Sequence, residues 1–175
     1  MKCPDCDAEI IAGQDVCEVC GSDLTFLSVP GPKQGRLHEV ILQEPLSQLN
    51  APKPILLKDT ASVADAVVQM RKHRYGSVLV LNAKGQLSGI FTERDVLNRA
   101  NPSGDQSLEQ IPLGDVMTAD PHRLQEDDTL AQALNYMAVG GYRHLPIVQD
   151  GKPVGVCSIR GILRYISENA LEEAR

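Results

Sequence analysis

The chain has 175 residues, 42% apolar and 23% charged, the make-up of a globular protein with one or two small domains. Aromatic residues are scarce, there is no Trp, and no apolar run approaches the roughly 18 residues of a membrane span. The net charge of −6 and pI near 5.2 weigh against nucleic acid as a default partner.

The chain opens on a Cys-rich acidic stretch, where a secretory signal would need basic residues and then an apolar core. Four of the five cysteines lie in the first twenty residues, as Cys3-Pro4-Asp5-Cys6 and Cys17-Glu18-Val19-Cys20. Without an export signal such pairs point to a metal and to a reducing, cytoplasmic compartment. Four thiolates suit a closed tetrahedral zinc site, with iron as the rival ion. Pro4 stiffens the first pair, and Gly21 permits a tight exit from the second. Residues 1–28 are too few to fold on an apolar core alone, which makes the metal structural. Within them Lys2 faces six acidic residues, a net of −5 that repels phosphates and favours a protein-contact or purely structural role. Residues 29–36, rich in Pro and Gly, read as a linker.

The remainder is duplicated. A shift of 67 pairs Pro45 with Pro112, Leu46 with Leu113, Ala66 with Ala133, Met70 with Met137 and Tyr75 with Tyr142. After a one-residue deletion, Gly89 pairs with Gly155 and Arg94 with Arg160. The copies span residues 37–100 and 101–170, leaving 171–175 as a tail. In the first, Val63, Ala66, Val67 and Met70 recur at helical spacing behind Ser62 and Asp65, which form a capping-box pattern. Leu130, Ala133, Leu134 and Met137 do the same behind Thr129 and Gln132. Each copy begins with a short extended segment (54–57, 121–124), and its helix is followed by two strands. These strands fall at 77–81 and 87–91, then at 145–148 and 154–157, and each copy ends on a second helix. The class is mixed α/β, and the two copies should pack together, since neither buries its own sheet alone.

Val116-Met117-Thr118-Ala119-Asp120-Pro121, Tyr142-Arg143-His144-Leu145-Pro146-Ile147-Val148 and Gly89-Ile90-Phe91-Thr92-Glu93-Arg94-Asp95 closely resemble the CBS domain. The resemblance covers roughly residues 38–169 as a tandem pair, or Bateman module, and the N-terminal unit resembles a zinc ribbon. It implies a module that binds an adenosyl compound (AMP, ADP, ATP or S-adenosylmethionine), regulates a partner protein and pairs into a homodimer. No membrane partner is implied.

Thr92-Glu93-Arg94-Asp95 follows a strand and opens a helix, so its backbone amides can face an anion. The same string is also a capping box. The resemblance implies that the acid at the position of Asp95 holds ribose hydroxyls and that the hydroxyl at Thr92 lies near the phosphate. In the second copy Ser158-Ile159-Arg160-Gly161 keeps the hydroxyl and loses the acid. The basic pair Arg143-His144 belongs to the second copy, whereas Gly76 and Ser77 align with it in the first. The expected nucleotide site is thus drawn from Thr92, Asp95, Arg143, His144, Ser158 and Arg160, and the expected metal site from Cys3, Cys6, Cys17 and Cys20. No nucleophile–base pair or paired carboxylates suggest an enzyme. The rival reading is a structural adaptor that binds no nucleotide and presents the ribbon to a partner.

Overall fold

The computed structural model describes residues 2–11, 14–24, 35–100 and 106–170. Most of the expected linker and the tail 171–175 lie outside the described residues. In the first copy, α1 (Arg36–Gln43) and a short 3-10 turn at Leu46–Leu49 lead into β1 (Leu56–Lys58) and α2 (Val63–His73). Then come β2 (Ser77–Leu81), β3 (Leu87–Thr92) and α3 (Glu93–Asp95), which runs into a π turn at Val96–Ala100. The second copy has α4 (Leu113–Val116), β4 (Thr118–Ala119), β5 (Leu124–Gln125), α5 (Leu130–Gly140), β6 (His144–Gln149), β7 (Lys152–Ser158) and α6 (Ile159–Asn169).

Both long central helices start as their sequences predict. The Ser62 hydroxyl accepts the Asp65 N–H at 3.1 Å, and the Asp65 carboxylate accepts the Ser62 N–H at 3.1 Å. Thr129 and Gln132 make the same reciprocal pair ahead of α5. Such a cap contributes about 1 kcal/mol. The closing helices differ between the copies. In the second, Ile162 and Ile166 continue an apolar stripe along eleven residues of α6. In the first, the α-helical turn is only three residues long, and the sequence beyond it, Asn101-Pro102-Ser103-Gly104, is rich in helix breakers.

Two sheets form. The first has the order β1-β2-β3-β4, with β1 parallel to β2 and the other pairs antiparallel; the second has the order β5-β6-β7. Alternation along the strands fills two layers. Val78, Val80 and Phe91 face the helices of the first copy, while Leu79, Leu87 and Ile90 join Val148 of the second sheet in a separate cluster. With both faces covered, Val78-Leu79-Val80-Leu81 reads as an unbroken aliphatic run.

The segments that lead into each copy are exchanged. α1 packs on α5 and α6, and its Val40 shares a core with Leu130, Met137, Leu145 and Ile162 of the second copy. The Leu46 N–H donates to the Asp128 carbonyl at 2.8 Å, and Glu44 accepts both from Arg36 at 2.6 Å and from the Tyr165 hydroxyl at 2.5 Å. Reciprocally, Ile111, Leu113 and Val116 enter the first core beside Val63, Met70 and Phe91. There the Leu113 N–H donates to the Ala61 carbonyl at 2.8 Å. Isolated bridges Pro45–Thr129 and Ser62–Pro112 mark the two symmetric crossings.

Leu113 is 0% exposed although it is anchored in the opposite copy's core. Leu113→Ala should therefore cost about 2–5 kcal/mol, and Leu46→Ala a similar amount, by urea unfolding. Losses under 1 kcal/mol at both positions would contradict the exchange.

Candidate functional site

In the N-terminal unit the two cysteine pairs fold alike. The Cys3 N–H donates to the Ala8 carbonyl at 2.8 Å and the Asp7 N–H to the Cys3 carbonyl at 3.0 Å. The Cys17 N–H donates to Ser22 and the Gly21 N–H to Cys17, both at 2.8 Å. Each turn leaves through a left-handed residue, Asp7 at φ 58° and Gly21 at φ 76°. Glycine is at ease there and aspartate tolerates it.

The turns bring all four sulfurs within 4.8 Å of one another, with Cys3–Cys20 and Cys6–Cys17 each at 3.7 Å. A tetrahedral ion with metal–sulfur bonds of about 2.3 Å holds its sulfurs about 3.8 Å apart. A disulfide would need about 2.0 Å. The donor set therefore fits a four-thiolate metal, and all four thiols are free to serve. The Ser22 hydroxyl lies 3.0 Å from the Cys20 sulfur. Cys3 and Cys17, with Ile10 and Leu24, are also the core of this unit. It touches the second copy where Asn135 Nδ2 donates to the Pro4 carbonyl at 3.4 Å.

A cleft of about 680 Å³ opens between the two copies. The end of α2 and the start of β2 supply His73 through Ser77, and the turn into α3 supplies Glu93. From the second copy come Arg143 and His144, then Ser158, Arg160, Gly161 and Arg164 at the start of α6. The chain between Leu49 and Ile55 closes another side. Gly76 lies beside both His144 and Glu93. A Cβ on it would stand 2.9 Å from His144 Nε2 and 3.3 Å from Glu93 Oε2. The Ser158 hydroxyl caps α6 by accepting the Gly161 N–H at 3.0 Å.

The sequence profile of the CBS domain matches residues 46–101 and 113–168, more than half of the chain. The chain belongs to the CBS-domain family. A 17.7 kDa protein of Acidianus ambivalens is 34% identical over 122 residues, covering 69% of this chain and 72% of that protein. A CBS-domain protein of Arabidopsis thaliana is 26% identical over 138 residues, of which this chain spans 24% of the length. Among solved structures, a CBS-domain protein of Agrobacterium tumefaciens superposes with a TM-score of 0.64 at 28% identity, covering 70% of this chain and 93% of that one. The fold is shared with a Pyrobaculum aerophilum CBS protein complexed with AMP, with a TM-score of 0.62 and 22% identity over 71% of this chain and 99% of that one.

Of the six residues expected to bind nucleotide, the structure gathers Arg143, His144, Ser158 and Arg160 around one cleft of this CBS pair. Thr92 and Asp95 do not line it. Asp95, 6% exposed, takes the Thr92 N–H at 2.9 Å and the Thr92 hydroxyl at 2.7 Å on Oδ2, while its Oδ1 lies 3.4 Å from Arg99. The capping box is thus formed, and one carboxylate oxygen is left facing Arg99. Sequence reasoning missed Glu93 and Arg164 as cleft residues. The i, i+4 spacing of Arg160 and Arg164 was the available signal for the second. Burial pushes the Cys157 thiol up to about 12, in keeping with a core role. Among the described residues, no helix is long and apolar enough to cross a membrane.

Burial holds the His144 imidazole below its ordinary 6.5; Glu93 opposes this, and Arg143 and Arg160 reinforce it. The unfolded chain takes up this proton near 6.5 and the folded chain only at lower pH. Stability from this group is therefore complete above 6.5 and is lost as pH falls through the lowered value. His144→Gln should flatten the fall in denaturation midpoint between pH 7.5 and 5.5. An unchanged slope would assign the pH dependence elsewhere.

Proposed function

We propose that this chain is a regulatory sensor in which the CBS pair binds an adenosyl compound and the cysteine unit holds one structural zinc. Iron is the alternative ion, since the four-thiolate set suits both. The observation that carries the reading is the cleft itself, which sets basic side chains of both copies beside the capped N-terminus of α6. A phosphate there would meet backbone amides and guanidinium groups together. The AMP complex of the Pyrobaculum aerophilum protein supports an adenosyl ligand as its class. Thr92 and Asp95 are proposed as the sugar side of a second, related position, with Asp95 Oδ1 accepting a ribose hydroxyl in competition with Arg99. No catalytic step is proposed, and the output passes to a partner protein in the cytoplasm. The lost acid at Gly161 favours one second reading, an adaptor that presents the ribbon without binding nucleotide.

Thermal shift with AMP, ADP, ATP and S-adenosylmethionine decides between the two readings. Saturation at 100 times Kd should stabilise the CBS pair by about 2.7 kcal/mol. No shift with any of the four would leave the adaptor.

The module is proposed to act as a homodimer through its own helices. Leu97 and Leu163, the equivalent-repeat neighbours of Val96 and Ile162, are 80% and 62% exposed. A stable two-fold contact would cover them in an interface of at least about 1,000 Å². Ribbons of net −5 would repel one another. Cys6→Ser should abolish the one metal per chain found by elemental analysis and yet leave a dimer by light scattering. A monomeric Cys6→Ser chain would make the ribbon the dimerisation element.

A further inference from the structure

Arg74, Arg143, Arg160 and Arg164 line the same cleft, joined by His73 and His144 and opposed by the single carboxylate of Glu93. The surplus is three positive charges with both imidazoles neutral, inside a chain whose net charge is −6. Among the described residues, no carboxylate lies within ion-pair distance of any of these four arginines. Two features of this group carry a conformational or electrostatic cost. Arg74 occupies a left-handed position at φ 57°, where the aligned residue of the second copy is Gly141 at φ 65°. Arg160 and Arg164 stand one turn apart on α6, an unfavourable like-charge spacing.

The start of α6 brings no acid into the cleft. Gly161 stands where the resemblance places the acid that would accept the ribose hydroxyls, and a Cβ there would lie 3.2 Å from the Ser158 hydroxyl. Glu93, the one acid present, lies with His144 beside Gly76 and acts on that imidazole.

The geometry points to a cleft that selects its ligand by the length of a phosphate chain and is indifferent to the sugar diol: a nucleoside triphosphate in preference to a monophosphate. This rests on the adenosyl-sensor reading and narrows it to a ligand class. A monophosphate brings a charge of about −2 near neutral pH, and each further phosphoryl group adds about one more. Three surplus guanidinium groups match the longer chain, and each can grip phosphate oxygens bidentately. A bound chain also relieves the repulsion between Arg160 and Arg164.

Titration calorimetry on the full metal-loaded chain tests this with AMP, ATP, 2′-deoxy-ATP and inorganic tripolyphosphate at fixed ionic strength. ATP should bind at least about tenfold tighter than AMP, the factor that one further charge-assisted hydrogen bond supplies. Removing the 2′-hydroxyl should change affinity less than about threefold, because no buried acceptor is left unpaired. Arg164→Gln should weaken ATP more than AMP, and Gly161→Asp should make the cleft discriminate against 2′-deoxy-ATP, with thermal melts checking that both variants fold. AMP binding as tightly as ATP, or a tenfold loss on 2′-deoxygenation, would overturn the proposal while leaving the sensor reading intact. Tripolyphosphate binding with no nucleotide binding would overturn the sensor reading and leave phosphate-chain recognition standing. No binding by any of the four would overturn both.

Discussion

The exchange of lead-in segments is the constraint on which the rest of the module depends. Leu46 completes a core built from α5, α6 and β6, and Leu113 completes one built from α2, β2 and β3. Each copy therefore lacks part of its own interior until the other is present. The exchange also sets the spacing of the copies, because the chain from Leu49 to Ile55 must travel from one core to the other sheet and closes the cleft on its way. A cleft between two halves follows directly from two halves that cannot be separated.

Much of this order is legible in the residues. Ser62 with Asp65 and Thr129 with Gln132 specify both helix starts through local hydrogen bonds, which depend on nothing distant. The aliphatic runs specify the strands, and the shift of 67 specifies the duplication. The exchange was not legible, because periodicity shows that Ile111, Leu113 and Val116 are buried without showing in which core. The π turn after Asp95 is equally hidden, since Val96 and Leu97 fit a continued helix as well as a short one. Thr92 and Asp95 show the limit from another side. One string can encode either a cap or a sugar contact, and the structure shows the cap formed, with the remaining oxygen 3.4 Å from Arg99.

The charge distribution divides the molecule in a way that the net value conceals. The ribbon concentrates acid, with one lysine against six carboxylates, while the cleft concentrates guanidinium groups. An overall −6 therefore hides two opposed local fields, and each acts only over about a Debye length of 8–10 Å at ordinary salt. Whole-chain charge argues well about bulk partners such as nucleic acid. It says nothing about a pocket whose charges come from Arg74, Arg143 and Arg160, residues far apart in the chain.

Gly89 and Gly155, paired by the repeat, stand where the exchanged segments cross the sheets. A Cβ on Gly89 would overlap the Met117 side chain, and one on Gly155 would come within 3.1 Å of Ala51. Each glycine is thus packed against the lead-in of the opposite copy. A side chain at 155 requires Ala51 to give by a few tenths of an ångström, and one at 89 requires Met117 to swing aside and meets the Thr118 carbonyl at 3.1 Å, so each pair is expected to couple as directly contacting sites do. The two halves differ at the aligned positions Asp95 and Gly161, of which only Gly161 lines the cleft. At the crossings a change on one side of the contact is felt on the other, so the freedom to vary differs between two layers of one repeat.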